Sequence, residues 1–170
     1  MAQWQDITLQ GNEAYRLKQW DRAEVAYCKA VSTIEAEWFV KLEDISLLMG
    51  WVANMHNLGC LYEQTDNIQQ ASHHYLMPYR RVLLLMKEDC FSTEFQHYLL
   101  YAMRTVSKAL LNFSHRHRVC QCCEEKMAEI REWLKQYPQP LMMSAYNLSI
   151  ERSELCSSPH SGFTSSDSVH

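Results

Sequence analysis

Residues 115–125, HRHRVCQCCEE, hold the densest group of chemically capable side chains in this sequence. His117, Cys120 and Cys123 have the types and spacing to bind a soft metal ion, with His115 or Cys122 available as a fourth ligand. Cys120 and Cys123 also form a C-x-x-C pair near a helix start, where the helix dipole lowers a thiol pKa and suits redox sensing. A second pattern runs through the same residues. Cys120, Cys123, Met127, Ile130, Leu134 and Tyr137 advance by three, four, three, four and three, the apolar stripe of a helix on which both thiols act as small core residues. The βαβ setting of a thioredoxin-type motif is missing.

Other reactive patterns are lacking. The sequence has no Gly-rich phosphate loop, no G-x-S-x-G elbow and no H-E-x-x-H. His73 and His74 are neighbours on a helical stretch, where adjacent side chains diverge. The expectation is a protein that is not an enzyme and needs no cofactor, with a thiol-based metal or redox protein as the alternative.

Composition narrows the partners. Sixteen basic against twenty acidic side chains give a net charge of −4, the wrong sign for neutralising a phosphate backbone, so no nucleic-acid partner is expected. The longest strongly apolar run, Val82–Met86, is far shorter than the roughly 20 residues of a membrane span. Without a basic-then-apolar leader, the seven cysteines imply reduced thiols and a cytoplasmic protein.

The elements that must position any site are helices. Only four Gly and four Pro occur in 170 residues, while 47% of the chain is hydrophobic. Apolar periodicity predicts helices over 3–18, 21–39, 44–64, 67–86, 93–114 and 119–137, with Asp21 and Ser92 as N-caps and Pro78 kinking the fourth. Trp38, Phe39, Trp51 and the YLMPY around Pro78 are expected to serve packing. Six helices in three antiparallel pairs make an all-α domain over 1–137. A Pro/Ser-rich tail follows over 138–170, with a short helix possible at 141–154 and disorder expected from about 156.

The sequence also repeats. Gly11 and Ala23 sit twelve apart, with Tyr27 and Ala30 four and seven beyond; Gly59, Ala71 and Tyr75 restate the pattern, and Tyr62 lies three beyond Gly59. Small residues at such spacing let two helix axes approach to roughly 8–10 Å while a tyrosine fills the wedge. On these residues the chain resembles a degenerate tetratricopeptide repeat (TPR) protein, an α-solenoid of helix pairs. It departs from that family at Pro78, where Ala is expected, and in the 48-residue separation of its glycines against a period of about 34.

The resemblance implies a concave groove, lined by the first helix of each pair, that grips a peptide or helix. It assigns Thr8, Asn12, Arg16, His56 and Asn57 to that groove. Asn12 and Asn57 match the asparagines of co-chaperones that clamp a carboxylate terminus, with Arg104 and Lys108 as cations; the family's first lysine is Thr8 here. The implied function is a protein-binding adaptor or chaperone-like module, whose apolar tail stretch PLMMSAYNLSI could occupy the groove in the free protein.

Overall fold

Each helix begins and ends where local chemistry allows. The computed structural model describes residues 2–117 and 121–136, those at 121–123 by backbone alone. They form α1 (Gln3–Arg16), α2 (Trp20–Trp38), α3 (Ile45–Gln64), α4 (Ile68–Leu85), α5 (Thr93–Arg116) and α6 (Gln121–Gln136). Asp44 caps α3 by accepting from the amides of Ser46 and Leu47, and Ser92 Oγ accepts from the Phe95 amide at the start of α5. Asp21 is not the cap of α2: the helix starts at Trp20, with Gln19 in the N-cap position but making no side-chain cap bond, and Asp21 lies in its first turn. Pro78 sits inside α4, which continues to Leu85.

Sequential helices pack as antiparallel neighbours, α1 on α2, α2 on α3, α3 on α4, α4 on α5 and α5 on α6. α3 also touches α1 and α5. The result is a helix-pair stack of two layers, with α1, α3 and α5 in one. The core runs through Tyr27, Ile34, Leu48, Trp51, Leu58, Val82, Phe95, Leu99 and Val106, all nearly or fully excluded from water. Trp38 and Trp51 lie in this core, with the Arg81 guanidinium over both rings at 4.7 and 5.1 Å. Phe39 does not join them. It follows the last residue of α2 and is 85% exposed, because the helix ends before its face can turn inward.

The repeat is visible in the backbone. Lys18 and Asp66, each seven residues after its glycine, both adopt positive φ, 56° and 58°. Around them the amides of Leu17, Lys18 and Gln19 bond to the carbonyls of Glu13, Tyr15 and Ala14. Those of Thr65, Asp66 and Asn67 bond to Leu61, Glu63 and Tyr62. Every partner is displaced by 48 residues, so the same turn is built twice.

The packing residues meet accordingly. A Cβ on Gly11 would lie 2.6 Å from the Tyr27 ring, and one on Gly59 would lie 2.9 Å from the Tyr75 ring. Ala23, Ala30 and Ala71 are fully buried beneath the neighbouring helices, and Tyr62 reaches α2, donating to Glu24 at 2.6 Å. Gly50 does a related job between pairs: a Cβ there would stand 2.6 Å from the Trp4 indole of α1.

Candidate functional site

The candidate site follows from which side of α3 is uncovered. In its own layer α3 has α1 and α5 on either side, while α2 and α4 cover its back. The remaining side, the trough between α1 and α5, has no described helix packed over it. Along it Ser46, Met49, Ala53 and His56 are half-buried, advancing by three, four and three, whereas every α3 residue between them is buried. The floor is mixed, with apolar Met49 and Ala53 between polar Ser46 and His56.

The α1 wall is tied to α3 by a ladder of side-chain hydrogen bonds. Asn54 Nδ2 donates to Thr8 Oγ1 and to the Gly50 carbonyl, both at 2.9 Å. Asn12 Oδ1 accepts from the Tyr27 hydroxyl at 3.0 Å and from Asn57 Nδ2 at 3.3 Å. Thr8, Asn12 and Asn57 are thus brought together at the α1–α3 seam, and His56 lies on the floor. Arg16 is exposed and paired with Glu13 at 2.7 Å. On α5, Lys108 is exposed, but Arg104 turns to α6, where its Nη1 donates to the Leu134 carbonyl at 3.3 Å. A carboxylate clamp needs its amides and cations aimed at a guest. Here the two asparagines hold each other, and the two α5 cations face different surroundings.

At one end of the trough lies a charge cluster that sequence spacing did not reveal. Glu63, at the end of α3, accepts from Arg116 Nε and Nη2 at 3.0 and 2.8 Å, from His117 Nε2 at 2.7 Å and from the Tyr75 hydroxyl at 2.8 Å. Its side chain is only 9% exposed. Burial alone would raise the carboxyl pKa, but the hydrogen bonds from Arg116, Tyr75 and His117 outweigh it and hold the pKa below its ordinary value. Tyr75 is pushed up by burial and by the Glu63 charge. The partners are twelve or more than fifty residues away in sequence, so only the fold assembles them.

The family model for a protein of unknown function, DUF2753, matches residues 2–142. The chain belongs to the DUF2753 family. No curated protein matches it, and neither does any solved structure. The match takes in all six helices of this DUF2753 fold and extends six residues past α6.

The alternative metal site of the DUF2753 chain rests on His117, Cys120 and Cys123. His117 is turned to Glu63; Cys120 and the side chain of Cys123 lie outside the described residues. Among the described residues no three metal-ligating groups converge. The thiols are not uniformly reduced, as their number had suggested. Cys28 and Cys90 are free and exposed, but Cys60 is disulfide-bonded, its partner outside the described side chains. Spacing cannot tell which sulfurs the fold brings into contact. Cys60 stands 48 residues after Asn12, and its Sγ lies 3.2 Å from the Tyr75 hydroxyl, as Asn12 faces Tyr27.

His56 gives the DUF2753 trough a pH response. Its Nε2 is sealed from solvent without a hydrogen-bond partner, and its ring lies 5.8 Å from that of Tyr75. Burial pushes its pKa down from 6.5 to about 4. Neutral His56 therefore contributes stability that is fully present above pH 6.5 and is lost as pH falls toward 4, because the unfolded chain takes up the proton first. Urea unfolding at pH 7.5 and pH 5 will show a loss about 2 kcal/mol larger in the wild type than in His56→Gln. Equal losses in both would show that the ring is open to water.

Proposed function

We propose that this DUF2753 chain is a non-catalytic protein-binding adaptor or chaperone-like module, built on degenerate TPR pairs, that holds a peptide or helix in the α1/α3/α5 trough. One observation carries this proposal: on the central helix only Ser46, Met49, Ala53 and His56 break an otherwise closed surface between Ser46 and His56, and they do so in one line facing the trough. Small Ser46 and Ala53 beside apolar Met49 suit the side chains of an inserted segment. Among the described residues no helix is long and apolar enough to cross a membrane. The free, exposed thiols of Cys28 and Cys90 favour a cytoplasmic setting, whereas the Cys60 disulfide favours an oxidising one.

Substituting Ala53→Arg in the full chain tests the trough. A half-buried alanine gives way there to a long cation that fills the floor while its head reaches solvent. Affinity capture from the source cell, quantified against wild type, should lose the specific partner by about tenfold or more, with the urea midpoint kept within error of wild type. An unchanged partner profile at unchanged stability would remove the trough from consideration.

A further inference from the structure

The α2–α3 link presents an apolar knob. Phe39, Val40 and Leu42 are 85%, 81% and 58% exposed, three large apolar side chains within four residues. Exposed apolar residues that stand singly, such as Leu17 and Val25, are ordinary surface; a group of them at a tip marks a contact site. The knob is held in shape. The amides of Val40 and Lys41 bond to the Glu37 carbonyl and that of Asp44 to the Lys41 carbonyl, while the Trp38 indole donates to the Leu42 carbonyl at 2.9 Å. Glu43 accepts from the Ser92 amide at 3.3 Å, which ties the link to the start of α5. An apolar projection fixed in this way loses little freedom on binding.

A hollow of matching chemistry lies at the same end of the molecule. α2, α4 and α6 run in one direction, so the last turns of all three share that end. Between α4, α5 and α6 the hollow is lined by Tyr79, Leu83, Met86, Met103, Ile130 and Trp133, with a volume of about 180 Å³. Pockets for drug-sized ligands begin near about 300 Å³, so this one is sized for a large side chain, not for a small-molecule cofactor. Leu83, Met86 and Trp133 are half-buried and form its mouth, and Leu84 beside them is exposed. Glu129 is the one charged residue on its described walls. The knob, residues 39–42, likewise carries one charge, the cation Lys41.

We propose that two copies of this chain pair through these features: the Phe39 ring of each enters the hollow of the other, Val40 and Leu42 cover its apolar mouth, and Lys41 meets Glu129 at the rim. Size, apolarity and charge sign all match between the knob and the hollow. Because both lie at one end, a two-fold axis between them joins each knob to the other copy's hollow, which closes the assembly as a dimer. Glu129 bonds to Lys126 of its own helix in the free chain, an exposed contact that exchanges at little cost. An aromatic side chain buries about 150–250 Å² on insertion, so two knobs and their surrounds reach about 1,000 Å², the low end for a specific interface. The dimer therefore forms in the micromolar range. The trough between α1 and α5 stays open to a guest, so this pairing stands whether or not the trough binds one.

Sedimentation equilibrium of the full chain tests it, with the exposed Cys28 and Cys90 changed to serine so that neither links two chains. A monomer–dimer equilibrium is expected, and Phe39→Ser should raise its Kd by about 30-fold or more with the urea midpoint unchanged, since that side chain lies outside the core. Lys41→Glu and Glu129→Lys should each raise Kd about fivefold, and the two together should return it to within about twofold of wild type. A photo-crosslinking amino acid in place of Phe39 should form adducts with residues 79–86 or 127–133 of a second, isotope-labelled chain. A chain that stays monomeric up to about 1 mM, a dimer that Phe39→Ser leaves intact, a charge swap that restores nothing, or adducts that map elsewhere would each overturn the proposal.

Discussion

Replacing Glu63 with alanine will destabilise the protein by about 3 kcal/mol at neutral pH. Two contributions add. The Tyr75 hydroxyl, on a residue 3% exposed, loses its carboxylate acceptor and keeps only the weakly accepting Cys60 sulfur at 3.2 Å, and a buried hydroxyl so poorly satisfied costs about 1–3 kcal/mol. The end of α5 loses its anchor on α3, because Arg116 and His117 both bond to Glu63. Arg116 is 41% exposed and rehydrates when released, so its share is discounted to about 1 kcal/mol or less. The sign of the pH dependence is fixed by the lowered Glu63 pKa. The ionised carboxylate contributes stability above the ordinary value of 4.5, and that contribution disappears as pH falls through the lower folded value. Urea unfolding at pH 7 measures the first effect, and the same titration in acid shows Glu63→Ala less acid-sensitive than wild type. A loss below about 0.5 kcal/mol would mean that the cluster is surface decoration.

Gly11→Val is expected to cost a similar amount, about 3 kcal/mol, by overpacking. The first added carbon already falls 2.6 Å from the Tyr27 ring and 3.3 Å from the Ala26 methyl. The ring cannot swing aside cheaply: it is fully buried, and its hydroxyl is held by Asn12. Valine's helix propensity exceeds glycine's by only a few tenths of a kcal/mol, too little to offset the clash. The coupling is specific, which makes it measurable. Tyr27→Ala alone costs about 3–5 kcal/mol as a cavity, but combined with Gly11→Val the total should fall short of the sum by at least about 1.5 kcal/mol, since the valine then fills the space. Strict additivity in urea unfolding would show that Gly11 and Tyr27 do not share that space.

Much of the scaffold was legible because it depends on short-range spacing. An apolar face recurring every three or four residues must be helical to be buried on one side, and α3, α4 and α5 begin within a residue or so of where periodicity and capping residues put them. The paired small residues were readable for the same reason: glycine and alanine at fixed distance from a tyrosine describe a local helix crossing. Phe39 and Asp21 were misplaced at helix ends, where one residue of fraying or early initiation changes which way a side chain points.

What only the tertiary structure decided depends on contacts between distant segments. Gly50 carries no partner in its own sequence neighbourhood; it is the indole of Trp4, brought over from α1, that requires the missing side chain. The same holds for Glu63, which sees Arg116 and His117 only after α5 lies beside α3, and for Arg104, drawn from a groove role to the Leu134 carbonyl of α6. Asn12 and Asn57 keep the amide chemistry the sequence assigns them, but the closeness of α1 to α3 turns that chemistry inward. Helix periodicity is a property of neighbours along the chain and is written there; the direction in which a polar group spends its hydrogen bonds belongs to whichever helix arrives next to it.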